Sequence, residues 1–125
     1  MPLSQKVIHF EIPLDWNLSK NKKYVSKYSK ALNPKYKSIL QGIGFLVKQS
    51  FPDYIKAKVW VFIMVYKPTK TGDCSNFVDG VLDGIKMSDN MPDDNYYSGV
   101  YDWAIDKENP RIEITIQQRA WAWKK

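Results

Sequence analysis

Along Lys6-Val7-Ile8-His9-Phe10-Glu11-Ile12, the apolar residues Ile8, Phe10 and Ile12 alternate with His9 and Glu11. That period of two predicts a half-buried strand ended by Pro13. Residues 14–30 sustain no period and carry Asn17, Asn21 and five lysines, the composition of a long surface loop. Pro34 suits the first turn of a helix. Beyond it Ile39, Leu40, Ile43, Leu46 and Val47 recur near every 3.6 residues and predict a core-facing stripe. Gly42 and Gly44 lower the helix propensity there but allow close packing, and Pro52 marks the exit.

Residues 55–65 are apolar on both parities, with Ala57, Val59, Val61, Ile63 and Val65 on one and Trp60, Phe62 and Met64 on the other. Such a strand is central in its sheet or covered by a partner subunit. After the turn-like Lys67-Pro68-Thr69-Lys70-Thr71-Gly72, the spacing of Val78, Val81, Leu82 and Ile85 predicts a second helix from about Ser75 to Lys86. Asp73 and Ser75 are both suited to cap its start. Asp79, Asp83 and Lys86 take a different face from the apolar stripe. A polar loop, residues 87–94, leads to an aromatic strand over residues 96–103. The clearest alternation follows: Ile112, Ile114 and Ile116 between Arg111, Glu113, Thr115 and Gln117. The connection Asp106-Lys107-Glu108-Asn109-Pro110 predicts an antiparallel hairpin between these last strands. The order β-α-β-α-β-β implies an α+β fold of two layers, a mixed sheet with helices on one face. At 125 residues the chain is expected to form a single domain spanning 1–125.

Charge changes the picture. Residues 1–72 carry a net +10, residues 73–112 a net −6, and the remainder +2. Residues 16–52 hold eight lysines and no acid, interleaved with Trp16, Tyr24, Tyr28 and Tyr36. Lys20, Lys22, Lys23, Lys27 and Lys30 are the candidates for neutralising nucleic-acid phosphates, and the aromatics for stacking on bases. A solvated lysine surface is the plainer alternative. Six acids against one lysine lie in residues 73–94. Asp79 and Asp83 stand one helical turn apart, a spacing at which like charges repel by about 0.2–0.5 kcal/mol. Asp93 and Asp94 lie on a loop that can fold back over the second helix or remain a solvated turn. Aspartates converging from separate elements would favour Mg²⁺ or Mn²⁺, which take oxygen ligands.

Other chemistries have little support. His9 is the one histidine and reads as a sheet-surface residue, so a histidine-based zinc site is not expected. Cys74 is the one cysteine, which excludes an internal disulfide and points to a reducing compartment. No phosphate-binding glycine loop is present. The longest apolar run, residues 59–66, falls far short of the roughly 18 residues of a membrane span. With no leader-like start, the cytoplasm is the expected location. Trp121 and Trp123 share one parity beyond the last strand, where they can cover the domain's own core, seal a dimer, or stack on bases.

The element Asp73-Cys74-Ser75-Asn76-Phe77-Val78-Asp79, followed by Val81-Leu82-Asp83-Gly84 and then Asp93-Asp94, resembles the RusA family of Holliday junction resolvases. Pro13-Leu14-Asp15-Trp16-Asn17, with Asn21 and Tyr24, is similar to that family's segment after its first strand, so the resemblance spans nearly the whole chain. It implies a homodimer that binds branched DNA and cuts it with Mg²⁺ or Mn²⁺. The family's essential acids fall on Asp73, Ser75 and Asp94, with Asp83 in support, so Asp73, Asp83 and Asp94 are the metal-ligand candidates. Its essential lysine falls on Asp79. One acid has become a serine and the lysine has reversed its charge, which leaves two expectations. One is a metal-dependent endonuclease with a rearranged site at Asp73, Ser75, Asp79 and Asp94. The other is a catalytically impaired RusA-like domain that binds DNA or protein.

Overall fold

The structure, a computed structural model, describes residues 7–19, 23, 31–51, 59–70, 74–88 and 97–118. The elements run β1 (Val7–Pro13), a 3-10 turn (Trp16–Leu18), α1 (Pro34–Ser50), β2 (Val59–Lys67), α2 (Ser75–Lys86), β3 (Tyr97–Ile105) and β4 (Arg111–Gln118). This is the α+β order expected from the periodicities, with one short turn added inside the lysine-rich segment.

The four strands form one mixed sheet in the order β1-β4-β2-β3. β4 is antiparallel to both β1 and β2, whereas β3 lies parallel to β2. A parallel neighbour needs a crossover, and α2 provides it. The expected hairpin between β3 and β4 is therefore not formed: the two strands are antiparallel, but β2 lies between them. Their connection steps across the end of β2, where the Asp106 amide donates to the Lys67 carbonyl at 2.8 Å. Asp106 shapes that step by accepting from the amides of Glu108 (3.2 Å) and Asn109 (3.1 Å). The turn chemistry was legible; its span across a third strand was not.

One sheet face carries the core. Val59, Val61, Ile63 and Val65 of β2 and Ile112, Ile114 and Ile116 of β4 are buried together, flanked by Ile8, Phe10 and Ile12 of β1. Tyr36, Leu40, Ile43 and Val47 of α1 and Phe77, Val81 and Ile85 of α2 pack against them, so both helices cover the same face. Ile39, Leu46, Val78 and Leu82, expected in the helical stripes, sit at their half-buried margins. The opposite face of β2 is open: Phe62 is 38% exposed, and Trp60 and Met64 are half-buried.

Asn33 caps α1 by accepting from the Lys35 amide at 3.0 Å, and Pro34 occupies the first turn. The residue at the start of α2 is Cys74, whose side chain makes no capping bond, and Ser75 is already inside the helix. Glycines set how closely α2 packs. A Cβ at Gly84 would lie 2.8 Å from the Cβ of Ile43 on α1. One at Gly80 would lie 2.7 Å from Leu18 Cδ1 in the 3-10 turn. Gly44 faces Met87, while Gly42 meets nothing within 4 Å and has no packing role.

Candidate nucleic-acid and metal site

Helix α2 presents Ser75, Asp79 and Asp83 at successive intervals of four residues, hence along one side. Ser75 is half-buried, Asp79 is exposed, and Asp83 is half-buried. Asp83 Oδ2 accepts from Tyr36 Oη at 2.9 Å and from Lys23 Nζ at 3.2 Å. Lys23 is held from its backbone as well, because its carbonyl accepts from the Asn33 amide at 2.8 Å. Its ammonium also lies 6.0 Å from the centroid of the Tyr36 ring. Asp83 thus ties α2 to α1 and anchors one point of the lysine-rich segment beside the acidic helix. Lys23, expected among the phosphate-neutralising lysines, spends its charge on Asp83 in this arrangement.

Tyr36 is fully buried and is not a stacking platform for bases. Its ring completes the core, and its hydroxyl alone reaches the polar boundary. Trp16 is 47% exposed, but its ring lies 5.3 Å from that of Phe77, so it leans on the helix that carries the acids.

Asp73 and Asp94 lie outside the described residues, as do Lys20, Lys22, Lys27 and Lys30. Their flanks are described. Lys70, shortly before Asp73, is tied to the carboxyl end of β2 because Lys67 Nζ donates to its carbonyl at 3.3 Å. Tyr97, three residues after Asp94, pairs with Val59 at the amino end of β2. Those two ends are separated by roughly 26 Å at about 3.3 Å per residue.

Among the described residues no three histidine, cysteine or carboxylate side chains converge on a point that could hold a metal. Ser75 and Asp79 offer hard oxygen donors on adjacent turns of α2, the donor type that suits Mg²⁺ or Mn²⁺. They do not make a complete ligand set without Asp73 or Asp94.

One residue in this region carried no signal in the periodicity. Lys67 ends β2 on the core face and is 2% exposed. Its ammonium lies 4.0 Å from the centroid of the Trp103 ring, a cation–π contact that, with the bond to the Lys70 carbonyl, fixes the turn leading toward α2. On the open face, His9 Nδ1 lies 2.8 Å from Thr115 Oγ1, the sheet-surface role expected of it. Arg111 gathers three acids: Nη1 meets Asp106 at 2.8 Å, and Nε meets Glu113 at 2.9 Å and Glu11 at 3.7 Å. The Arg111 hydrogen bond and the amides of its own turn hold the Asp106 carboxyl below the usual aspartate range. Asp106 and Glu113 in turn raise Arg111 above its ordinary value.

No protein-family model matches this chain, and no curated protein matches it. Among the described residues no helix is long and apolar enough to cross a membrane.

Proposed function

We propose that this chain is a RusA-like domain that binds branched DNA and cleaves it with Mg²⁺ or Mn²⁺. The observation that carries the reading is the Lys23–Asp83 tether, which joins the lysine-rich segment to the acidic side of α2. A polyanion drawn to the lysines would lie next to the carboxylates. In this reading Asp73, Asp94, Asp79 and Ser75 form the reactive set, and Asp73, Asp94 and Asp83 are the candidate ligands. A bound divalent ion would supply an activated water and stabilise charge on a phosphodiester. Lys20, Lys22, Lys27 and Lys30 attract the backbone. A second copy of the chain and a cytoplasmic location belong to the same proposal. The exposed Tyr101, Trp103 and Ile105 on β3 support the second copy.

A second reading, binding without cleavage, is favoured by the commitment of Asp83 to Tyr36 and Lys23 and by the negative charge of Asp79. Incubation of the purified protein with a four-way junction in Mg²⁺ and in Mn²⁺ separates the two. The first predicts metal-dependent cuts that Asp73→Asn and Asp94→Asn abolish while salt-sensitive binding persists. It also predicts that Ser75→Asp raises metal affinity. Cuts that survive both asparagine variants would refute the site. Salt-dependent retention with no cutting in either metal would establish the second reading instead.

A further inference from the structure

β3 is an edge of the sheet, with β2 as its one neighbour among the described residues. Two hydrogen bonds fix which way its backbone points. The Asp106 amide donates to the Lys67 carbonyl, toward β2. By the alternation of a strand, the backbone groups of Asp102 and Val100 face β2 as well, and those of Tyr97, Gly99, Tyr101, Trp103 and Ile105 face outward. The Trp103 amide agrees, donating to its neighbour's carboxylate, Asp102 Oδ1, at 2.7 Å. This edge is also apolar: Val100, Tyr101, Trp103 and Ile105 are 56%, 49%, 42% and 43% exposed, whereas β1, at the other edge, exposes only Val7 among its large hydrophobics. By register Tyr101, Trp103 and Ile105 stand on the helix side of the sheet beside Ile63, Val65 and Lys67, yet none of the three belongs to the core. The Lys67 ammonium holds the Trp103 ring in place. A long, apolar strand with outward amides and carbonyls is a template for another strand.

We propose that β3 pairs with β3 of a second copy, antiparallel about a two-fold axis at Tyr101, joining the two sheets into one. The inference rests on the second copy in the proposed function and adds the surface that binds it. The strand's own residues select the register. A centre at Tyr101 pairs every outward position of β3 with an outward position of the other copy: Tyr97 with the partner's Ile105, Gly99 with the partner's Trp103, and Tyr101 with the partner's Tyr101. Moving the centre by one residue leaves an outward position unpaired. About ten backbone hydrogen bonds would form, two for each facing pair. The same register sets the one glycine of β3 opposite its one tryptophan, so each indole can lie over bare backbone of the facing strand. Asp102 opposes the pairing in part. Its carboxylate occupies the Trp103 amide, and the partner's Asp102 stands diagonal to it across the axis.

Sedimentation equilibrium and disulfide trapping of the full chain test this. In a Cys74→Ala background, Tyr101→Cys meets its own copy across the axis at a Cα separation of about 5.5 Å, within disulfide reach. Lys48→Cys, at an exposed position on α1, is the control. The expected result is a covalent dimer that forms from Tyr101→Cys at least about tenfold faster than from the control at equal concentration, the advantage of a pre-aligned pair. Without added cysteines, Tyr101→Lys sets two ammonium groups face to face and should raise the dimer dissociation constant about tenfold. Circular dichroism should show that variant folded as the parent is. Asp102→Ala should lower the constant several-fold, and no gain would overturn the part assigned to that carboxylate. A dimeric parent that traps no faster than the control and ignores Tyr101→Lys would overturn the β3 interface and leave the second copy standing. A monomeric parent would overturn both, with the edge then open to a strand of a different protein.

Discussion

Asp83 separates two roles that a carboxylate on α2 can play, and its substitution by alanine reads out which one it fills. Its Oδ2 accepts from the hydroxyl of fully buried Tyr36 at 2.9 Å and pairs with Lys23 at 3.2 Å. A hydrogen bond to a charged acceptor contributes about 1.5–3 kcal/mol. The Lys23 pair, with side chains 31% and 34% exposed, is screened by water and adds at most about 1 kcal/mol. Asp83→Ala should therefore destabilise the domain by about 2–3 kcal/mol. For a domain of this size that lowers the melting temperature by roughly 6–12 °C. Tyr36→Phe alone should cost most of the same amount, Lys23→Ala much less, and Tyr36→Phe in the Asp83→Ala background little more. The resulting coupling is about 1–2 kcal/mol in a double-mutant cycle by urea denaturation. If Asp83→Ala lies within about 0.5 kcal/mol of the parent and the coupling vanishes, the carboxylate is no tether. It would then be free to bind an ion, and the reasoning from the Tyr36 contact fails.

Three further outcomes follow from other contacts. Gly84→Ala forces a Cβ to within 2.8 Å of the Cβ of Ile43, so α1 and α2 must separate; denaturation should register a loss of about 1–3 kcal/mol, and full stability would mean the helices are less tightly apposed. Asp106 has a lowered pKa, so its contribution to stability is present above the ordinary aspartate pKa and is lost as pH falls through the folded value. Asp106→Asn should accordingly lower the melting temperature at neutral pH and flatten its fall on acidification below about pH 4, and an unaltered acid limb would contradict this. Replacing Lys20, Lys22 and Lys27 with alanine should reduce the slope of log affinity against log salt by up to about 3 for DNA, and an unchanged slope would move the binding surface elsewhere.

The covered face was legible because Ile112, Ile114 and Ile116 alternate with polar residues, a parity that a one-sided sheet needs; Val59, Val61, Ile63 and Val65 share that face but sit in a strand apolar on both parities. The α2 stripe was read one residue off at its start: Phe77, one turn before Val81, is fully buried, while Val78 is at the margin. Both choices satisfy a 3.6 period, and the tertiary core that Phe77 joins, with Trp16 against its ring, is not written in the local pattern. Strand order was not legible, since the turn at residues 106–110 carries the same local chemistry whether its strands pair or straddle β2. Tyr36 looked like a member of a basic-aromatic surface because its sequence neighbours are lysines. Its burial follows from helical phase relative to Leu40 and Ile43, which composition ignores. At the candidate site, sequence supplied the side and spacing of Ser75, Asp79 and Asp83 on α2. The engagement of Asp83 came from residues 47 and 60 positions away, Tyr36 and Lys23, beyond the reach of any local pattern.

The position of β4 between β1 and β2 bears on how the chain acquires its fold as it emerges from the ribosome. Among the described strands β1 is made first, yet its one neighbour in the sheet is the one made last, with more than a hundred residues between paired positions such as Val7 and Gln117. Until β4 is synthesised, β1 has no strand to join, and β2 can recruit only β3 through the intervening helix. The nascent chain thus passes through a stage in which the β2-α2-β3 unit can assemble while the amino-terminal strand waits. Closure comes with a single late insertion that pairs β4 on both edges at once. Non-local pairing of this kind folds slowly. It also makes the exposed edge of β2 the place where a stalled or truncated chain would associate with another.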